Sequence, residues 1–353
     1  MSLERARALV LEHGWNATSY QIINPGIRHW FSAAADAVVG YVEAAGVRVV
    51  AGAPVAARLR LGDVAAEFEA DSRRAGLGVC YFGAEARLEQ LYRNSARHSM
   101  ALLGAQPAWE PQHWNAICQA HASLRAQFHR ARNKDVAVQE WPVALAEEHP
   151  ALRRCLDEWL STRGLPPLHF LVEPETLSRL TGRRVFVASR SGQVIAFLIA
   201  SPVPARHGWL VEQFVRGHGA VNGTTDLLVD AAMRTFATEE SHFVTLGLAP
   251  LSQHVPPAEV PKEPLWLRFV LGWVRLHGRR FYNFAGLDRF KARLRPMRWD
   301  PVYAIAAEPD FPPRMLYAIA GAFSGGSPVV MLVRALGRAV VWELTGRPSR
   351  GGG

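Results

Sequence analysis

Between Trp209 and Asp226 the chain reads WLVEQFVRGHGAVNGTTD: an apolar run, three glycines within seven residues, then the polar residues that open helices. This pattern predicts a strand, a glycine-broken loop and a helix mouth. Such a unit can present backbone N–H groups to an anion or a polarised carbonyl. It can also simply turn a corner, so the rest of the chain must decide.

The remaining pattern alternates in the same way. A short helix is expected over residues 1–12, then strands around Ser19–Ile23, Ala37–Val42 and Val47–Ala51, punctuated by Gly46 and Gly52–Pro54. Asp63–Arg74 has helical spacing and stops at Gly76; Leu77–Phe82 reads as a strand and Ala84–Tyr92 as a helix. Trp114–Lys134 is the clearest helix of this half, with Ile117, Ala120, Leu124, Phe128 and Ala131 on one face. Its second stripe, His121, Arg125, His129 and Arg132, is either a solvated face or a phosphate track continuing to Lys134.

Pro142–Pro150 reads as a linker, which places one α/β domain at 1–141 and a second at 142–310. The second is expected to run as helix Ala151–Thr162, strands Phe170–Glu173, Arg184–Ser189 and Val194–Val203, strand Trp209–Arg216, the glycine loop, a helix over Thr225–Ala237 and strand Phe243–Leu248. An apolar helix Leu265–Arg279, an extended piece Phe281–Phe284, a helix Leu287–Leu294 and a closing strand Val302–Ala306 follow. This order is that of a GNAT-type acyltransferase. The fold class expected is therefore α/β (α+β): two tandem GNAT-like folds, mixed sheets flanked by helices. Residues 311–353 form an apolar helical tail, broken by Ser324–Pro328 and too short to span a bilayer. It either lies on a membrane surface or packs on protein.

Composition bounds the chemistry. The formal charge is +9, most of it from arginine, which suits polyanionic partners as well as an arginine-rich genome. Cys80, Cys118 and Cys155 are odd in number and far apart, so neither a disulfide framework nor a zinc site is expected. The charged start MSLERARALV has no apolar stretch of the secretory kind, and a reducing cytosol fits. There is no GxxxxGK[ST], HExxH or GxSxG, so chemistry by positioning rather than by a covalent nucleophile is expected.

The glycine loop does not follow the pattern with which acetyl-CoA enzymes hold pyrophosphate. Phe214 stands three residues before Gly217, and counting from Arg216 to Gly219 ends on Val221. A donor other than coenzyme A is implied. Asn222, Gly223 and Thr224 form the helix mouth, and Asp226 in the first turn either serves the helix dipole or holds a substrate ammonium. Glu212, inside the strand, shares a face with Leu210 and Phe214 by alternation; it is a general base, an amine binder or one half of a salt bridge. Lys291 lies on the face of Leu287, Phe290 and Leu294, so it snorkels or enters a polar pocket. With Arg289, Arg293, Arg295 and Arg298 it makes a basic stretch that is either solvated or a phosphate pocket.

PPLHFLVEPETL (166–177), the hairpin and strand of 185–216, NGTTD (222–226) and FYNFAGLDRFKARLRPMRWDPVY (281–303) together resemble the C-terminal domain of the phosphatidylglycerol lysyltransferase family. The first half resembles it in GYVEAAGVRVVAGAPV, EFEADSRRAGLGVCYFGAEAR and LRAQFHRARNKDV, so the resemblance covers roughly residues 10–305. It implies transfer of an amino acid from its tRNA to a hydroxyl of an anionic membrane lipid, with aminoacyl-tRNA as co-substrate, no other cofactor and no metal. It also implies a place at the inner, cytoplasmic face of the membrane. Asp226 would bind the aminoacyl ammonium, while Lys291 and Arg295 would meet the terminal phosphate of the tRNA or that of the lipid; backbone N–H groups at Asn222–Thr224 would face the ester oxyanion. Arg216 and Tyr303 join as substrate contacts, and Arg125, Arg132, Lys134 and Arg293 as nucleic-acid contacts. The sequence departs from the family in having Val221 where Pro usually precedes NGT. The membrane-embedded domain that precedes the catalytic part in many members is not expected here, so lipid contact falls to residues 312–344 or the acceptor differs. The alternatives are an acyltransferase using an acyl-CoA or acyl-carrier donor, and a non-catalytic scaffold binding membrane or tRNA.

Overall fold

A computed structural model of the chain describes residues 2–162, 169–172, 174–256, 259–261, 264, 266–267, 269, 272 and 284–324. The first half holds α1 (Ser2–His13), β1 (Arg28–Phe31), β2 (Val38–Ala44), β3 (Val47–Ala51), α2 (Leu61–Arg74), β4 (Gly78–Ala84), α3 (Ala86–Tyr92) and β5 (Ser99–Trp109). Next come α4 (Trp114–Ala120), α5 (Ala122–Arg132), β6 (Val136–Trp141), α6 (Val143–Ala146) and α7 (Pro150–Ser161). The second half holds β7 (Arg184–Arg190), β8 (Gln193–Val203), β9 (Gly208–Arg216), α8 (Thr224–Thr238), β10 (Phe243–Thr245), β11 (Ala249–Pro250), α9 (Phe284–Arg293), β12 (Arg298–Ala306) and α10 (Pro313–Ser324).

The two halves share one mixed sheet, in the order β1-β2-β3-β4-β12-β5-β10-β9-β8-β7-β6, with β11 added to β5. They interlock by exchange of strands. β12, from the second half, lies between β4 and β5, while β6 pairs with β7 at the far edge. Helices α4 and α5 pack with α8: Trp114, Leu124, Phe128 and Ala131 share a core with Leu228, Ala232 and Phe236. A second helix, α7, covers the opposite face through Leu152, Cys155 and Leu156 against Val187, Phe197 and Val215. This is the expected mixed α/β architecture, its sheet flanked by helices.

No repeat is visible in the sequence, yet the backbone repeats a unit. β3 and β4 run parallel with α2 between them, and β9 and β10 run parallel with α8 between them. Three successive antiparallel pairings separate β4 from β10, so the two parallel pairs point in opposite directions. Parallel strands leave a crevice beyond their carboxyl ends. The two crevices therefore open at opposite edges of the sheet.

Several expected elements differ. The expected strand Ser19–Ile23 is a 3₁₀ turn, Ala17–Ile23, whose members are almost all buried. Hydrophobic periodicity carries no signal in a segment covered on every side. The expected strand at Phe170 is also a 3₁₀ turn, Phe170–Val172, and Phe170 has φ +65°, outside the β region. The helix expected over Trp114–Lys134 breaks at His121 (φ −120°, ψ 95°). The Arg125 side chain caps the break by donating to the carbonyls of Cys118, at 2.9 Å, and Gln119. β1 and β5 were not expected. β5 contains Gly104 (φ +142°), where a Cβ would collide with the Ala249 carbonyl of β11.

The tail begins as α10, which buries Met315, Ala318, Ile319 and Ala322 against the first half; these positions are i, i+3, i+4 and i+7. Its Phe323 meets Phe82 and Phe170 edge-on. So the first turns of the tail pack on protein. Residues 325–353, most of the expected helix Leu265–Arg279 and residues 281–283 of the extended piece lie outside the described residues. No described helix is long and apolar enough to cross a membrane.

Candidate active site

β9 delivers Arg216 to the loop, and the loop folds on itself before α8. Gly217 N–H donates to Ile195 O (2.9 Å), Ala220 N–H to Gly217 O (3.1 Å) and Thr224 N–H to Val221 O (3.2 Å). His218 N–H donates to Glu158 Oε2 at 2.8 Å. A carboxylate of the protein itself thus takes a position where a pyrophosphate cradle would expose an amide. This agrees with the failed coenzyme A pattern.

Gly223 starts α8 at φ +90°, and a Cβ there would collide with the Gln127 carbonyl of α5. Only glycine allows both that backbone and that approach. Thr224 is fully buried and its hydroxyl donates to Val221 O at 2.8 Å, which closes the turn. Asn222 is exposed at the loop tip.

Asp226, 3% exposed, lies in the first turn of α8. Its Oδ1 accepts from Arg293 Nη2 of α9 at 2.7 Å. Burial raises the Asp226 pKa; the charges of Arg293 and Arg216 beside it, and hydrogen bonds to the carboxylate, oppose that rise. Arg293, expected on nucleic acid, has a guanidinium about half exposed that reaches the carboxylate and rests near the Phe290 ring (5.5 Å). One turn further on, Asp230 is buried and receives Trp114 Nε1 (3.0 Å), Arg132 Nη2 (3.0 Å) and Arg234 Nε (2.9 Å). Asp230 ties α4, α5 and α8 together and fixes the face that presents Asp226.

Lys291 does enter a polar pocket, and the pocket is made of backbone. Its Nζ donates to the carbonyls of Leu246, Gly247 and Leu248, each at 2.8 Å. Burial pulls its pKa down to about 7, with Asp288 opposing. The ammonium form supplies three N–H donors to these acceptors and the neutral amine two. Lys291 is thus turned inward, clasping the end of β10 to α9. Arg295, two residues past α9, is in a left-handed conformation (φ +56°) with its side chain exposed, and the carbonyls of Leu294 and Arg295 accept from Trp109 Nε1 at 3.1 and 3.2 Å.

Glu212 belongs to a different construction. The β8–β9 register slips between Ile199/Gln213 and Ala200/Val211, leaving Glu212 as a bulge residue. Phe214 consequently lies with Val211 and packs against Phe290 (5.9 Å), opposite to the expectation from strict alternation. The Glu212 carboxylate, 2% exposed, is held by Arg183 Nε (3.0 Å) and Nη2 (3.3 Å). Arg183 also donates to Asn24 Oδ1 (2.7 Å) and lies over the Tyr20 ring (5.3 Å), so this pair joins the two halves.

Tyr303 lies in the first-half core with Tyr81 and Leu88, where its hydroxyl donates to Glu259 O at 2.9 Å and burial raises its pKa. It is not brought to Asp226. Arg125 is occupied by its helix cap, Arg132 by Asp230, and Lys134 offers its carbonyl to Arg190 Nε (2.9 Å) with its side chain exposed. The structure therefore unites Asp226, Arg293, Arg216 and the Gly223 turn, turns Lys291 to the 246–248 carbonyls, and separates Glu212 and Tyr303 from Asp226. The partners of Asp226 and Glu212 are 67 and 29 residues away, and no local spacing announces them. The DLLVD spacing of Asp226 and Asp230 is the one signal for Asp230.

All three cysteines are buried, and burial pushes their thiols up to about 12 (Cys80), about 11 (Cys118) and about 11 (Cys155), away from thiolate chemistry. Among the described residues no three His, Cys, Asp or Glu side chains converge as metal ligands.

Comparison with known proteins adds a family to this geometry. The chain is 25% identical over 300 residues to a phosphatidylglycerol lysyltransferase of Bacillus subtilis (strain 168); the match takes in 83% of this chain and 34% of that protein. The chain thus spans about a third of the length of the curated relative it matches. In structure it resembles a C-terminal DUF2156 domain from Agrobacterium fabrum, described as that of a lysylphosphatidylglycerol synthetase, with TM-score 0.78, 19% identity and coverage of 92% and 98% of the two chains. L-PGS from Bacillus licheniformis gives a TM-score of 0.72 at 20% identity, covering 98% and 97%. These two likenesses show the fold. The family model described as "Phosphatidylglycerol lysyltransferase, C-terminal" matches residues 7–306, and the chain belongs to that family.

Proposed function

We propose that this chain transfers an aminoacyl group from aminoacyl-tRNA to a hydroxyl of phosphatidylglycerol at the inner face of the membrane. The observation that carries the reading is the buried Asp226 carboxylate, paired with Arg293 and near Arg216 at the mouth of α8. A buried anion at a helix mouth, in a family of lipid aminoacyltransferases, suits the α-ammonium of an aminoacyl ester. The ammonium would replace or join the Arg293 contact, and the freed guanidinium would turn to phosphate.

The lipid hydroxyl oxygen then attacks the ester carbonyl directly. A tetrahedral oxyanion forms, the bond to the tRNA ribose oxygen breaks, and the hydroxyl proton ends on that leaving oxygen. No protein acyl intermediate is required, in keeping with the buried, protonated cysteines. Arg293 and Arg295, exposed at the end of α9, are the proposed phosphate contacts. Lys291 contributes by holding residues 246–248. No cofactor beyond the charged tRNA enters this scheme.

Purified protein incubated with phosphatidylglycerol vesicles and tRNA charged with each labelled amino acid in turn tests the reading, lysine first because the relatives are named for it. Label in the lipid phase is the expected result. If no amino acid reaches lipid, the transferase reading falls.

A further inference from the structure

The crevice at the carboxyl ends of β3 and β4 is the counterpart, in the first half, of the Asp226 site, and its lining holds none of the residues placed in the proposed transfer. It is a shallow crevice, partly open to solvent, lined by Trp15, the 53–56 segment that follows β3, Arg58, Leu61 and Arg87. The Arg87 guanidinium lies 4.5 Å from the centre of the Trp15 ring, and Arg206 lies 4.8 Å from it.

The ion pairs here are unevenly shared. Arg206 is neutralised by Glu85 (2.8 Å) and Asp300 (3.3 Å). Arg60, next along the turn, is held by Asp36 (3.1 Å) and Asp63 (3.0 Å). Arg58 and Arg87 have no carboxylate partner among the described residues. Burial lowers the Arg87 pKa, and the neighbouring charges of Arg58 and Arg206 lower it further, as uncompensated cations do to one another.

An apolar tip stands at the rim. Leu59, between Arg58 and Arg60, is 96% exposed, the most exposed large hydrophobic side chain among the described residues. Leu91 of α3 is 44% exposed and lies beside Gly62, at the start of α2. A fully exposed leucine flanked by arginines, beside a crevice lined by a tryptophan, suits the boundary between lipid headgroups and acyl chains. A phosphate-binding groove for RNA has no use for the leucine.

We propose that this crevice docks the phosphate of an anionic phospholipid at a membrane surface, with Arg58 and Arg87 on the phosphate and Leu59 entering the interface. The docking does not depend on aminoacyl transfer and can be measured without an aminoacyl donor.

The experiment is co-sedimentation of the full chain with phosphatidylglycerol vesicles, with phosphatidylcholine vesicles and tRNA as comparison ligands. Arg58→Ser and Arg87→Ser should each weaken binding to phosphatidylglycerol vesicles roughly fivefold, the factor that corresponds to about 1 kcal/mol per basic residue near an anionic surface. Leu59→Ser should weaken it by a similar factor. Arg73→Ser, exposed at the far end of α2 and equal in charge change, should leave binding unchanged. Arg58 and Leu59 sit on an exposed turn, so those two variants keep the test intact should Arg87→Ser unfold. The proposal is overturned if Arg73→Ser weakens binding as much as Arg58→Ser, if the three crevice variants bind vesicles like wild type, or if they lose tRNA while keeping vesicles.

Discussion

Asp226 and Arg293 meet at 2.7 Å, one from the first turn of α8 and the other from the last turn of α9. The carboxylate is almost wholly buried, and its partner is the more exposed of the two. Such a pair can open toward an incoming cation without unfolding either helix.

The Asp226 pKa is raised by burial against the pull of Arg293 and Arg216. A carboxyl of this kind contributes stability that is fully present below its unfolded value of 3.8 and is lost as pH rises through the folded value. Asp226→Asn removes that loss. At neutral pH the variant should melt at or above the wild-type temperature, and its stability should vary less with pH across that window. Transfer, by contrast, should fall by about 10- to 100-fold, the loss of a charged hydrogen bond to substrate. Calorimetry at several pH values beside a transfer assay checks both halves.

Lys291→Met should act on stability first. It would leave the carbonyls of Leu246, Gly247 and Leu248 without their shared donor, at a loss of about 3 kcal/mol in total, read from denaturant midpoints. A lysine that only met phosphate would leave the midpoint in place and raise KM. Because the folded pKa is lowered to about 7 from 10.5, the unfolded chain holds a proton that the folded chain lacks between those values. Wild-type stability relative to Lys291→Met should therefore rise with pH across that window.

Arg183→Met should be among the most damaging single changes. It strands the buried Glu212 carboxylate and removes the bond to Asn24, at a loss of about 3–5 kcal/mol. Arg183→Met combined with Glu212→Leu should recover much of it. If Glu212 were instead a catalytic base, Glu212→Gln would abolish transfer without moving the melting temperature; here Tm should drop and the residual folded protein should retain turnover.

Gly223→Ala should cost about 2 kcal/mol, from its left-handed backbone and from pushing α5 off α8 through the Gln127 carbonyl. Gly76→Ala, also left-handed but with open space around its Cβ, isolates the backbone part and should lose less. Chemical denaturation of the two variants separates the contributions.

What the sequence made legible follows from where its signals are local. β3 was placed at Val47–Ala51, and the bounds of β8, β9 and α8 came within a residue, because their patterns end at clear turns. The Ser191–Gly192 hairpin, with φ +49° and +76°, is local chemistry of the same kind. Helical spacing put Lys291 on the apolar face of its helix and left open whether it snorkels or enters a polar pocket. Its acceptors were not legible, since backbone carbonyls have no letter of their own. The Glu212 bulge adds one residue to one strand, and so it reversed the face of Phe214 without any change in composition. The exchange of β12 and β6 between halves is set by pairings across the whole chain, which no window of sequence contains.

The central claim is that Asp226 reads the α-ammonium of an aminoacyl ester. It is tested most directly by comparing transfer to phosphatidylglycerol vesicles from lysyl-tRNA and from a tRNA carrying the same acyl chain with a hydroxyl in place of the α-amine. Wild type should favour the aminoacyl donor by about tenfold or more, and Asp226→Asn should lose that preference. Equal use of both donors by wild type, or an unchanged preference in Asp226→Asn, would contradict the account.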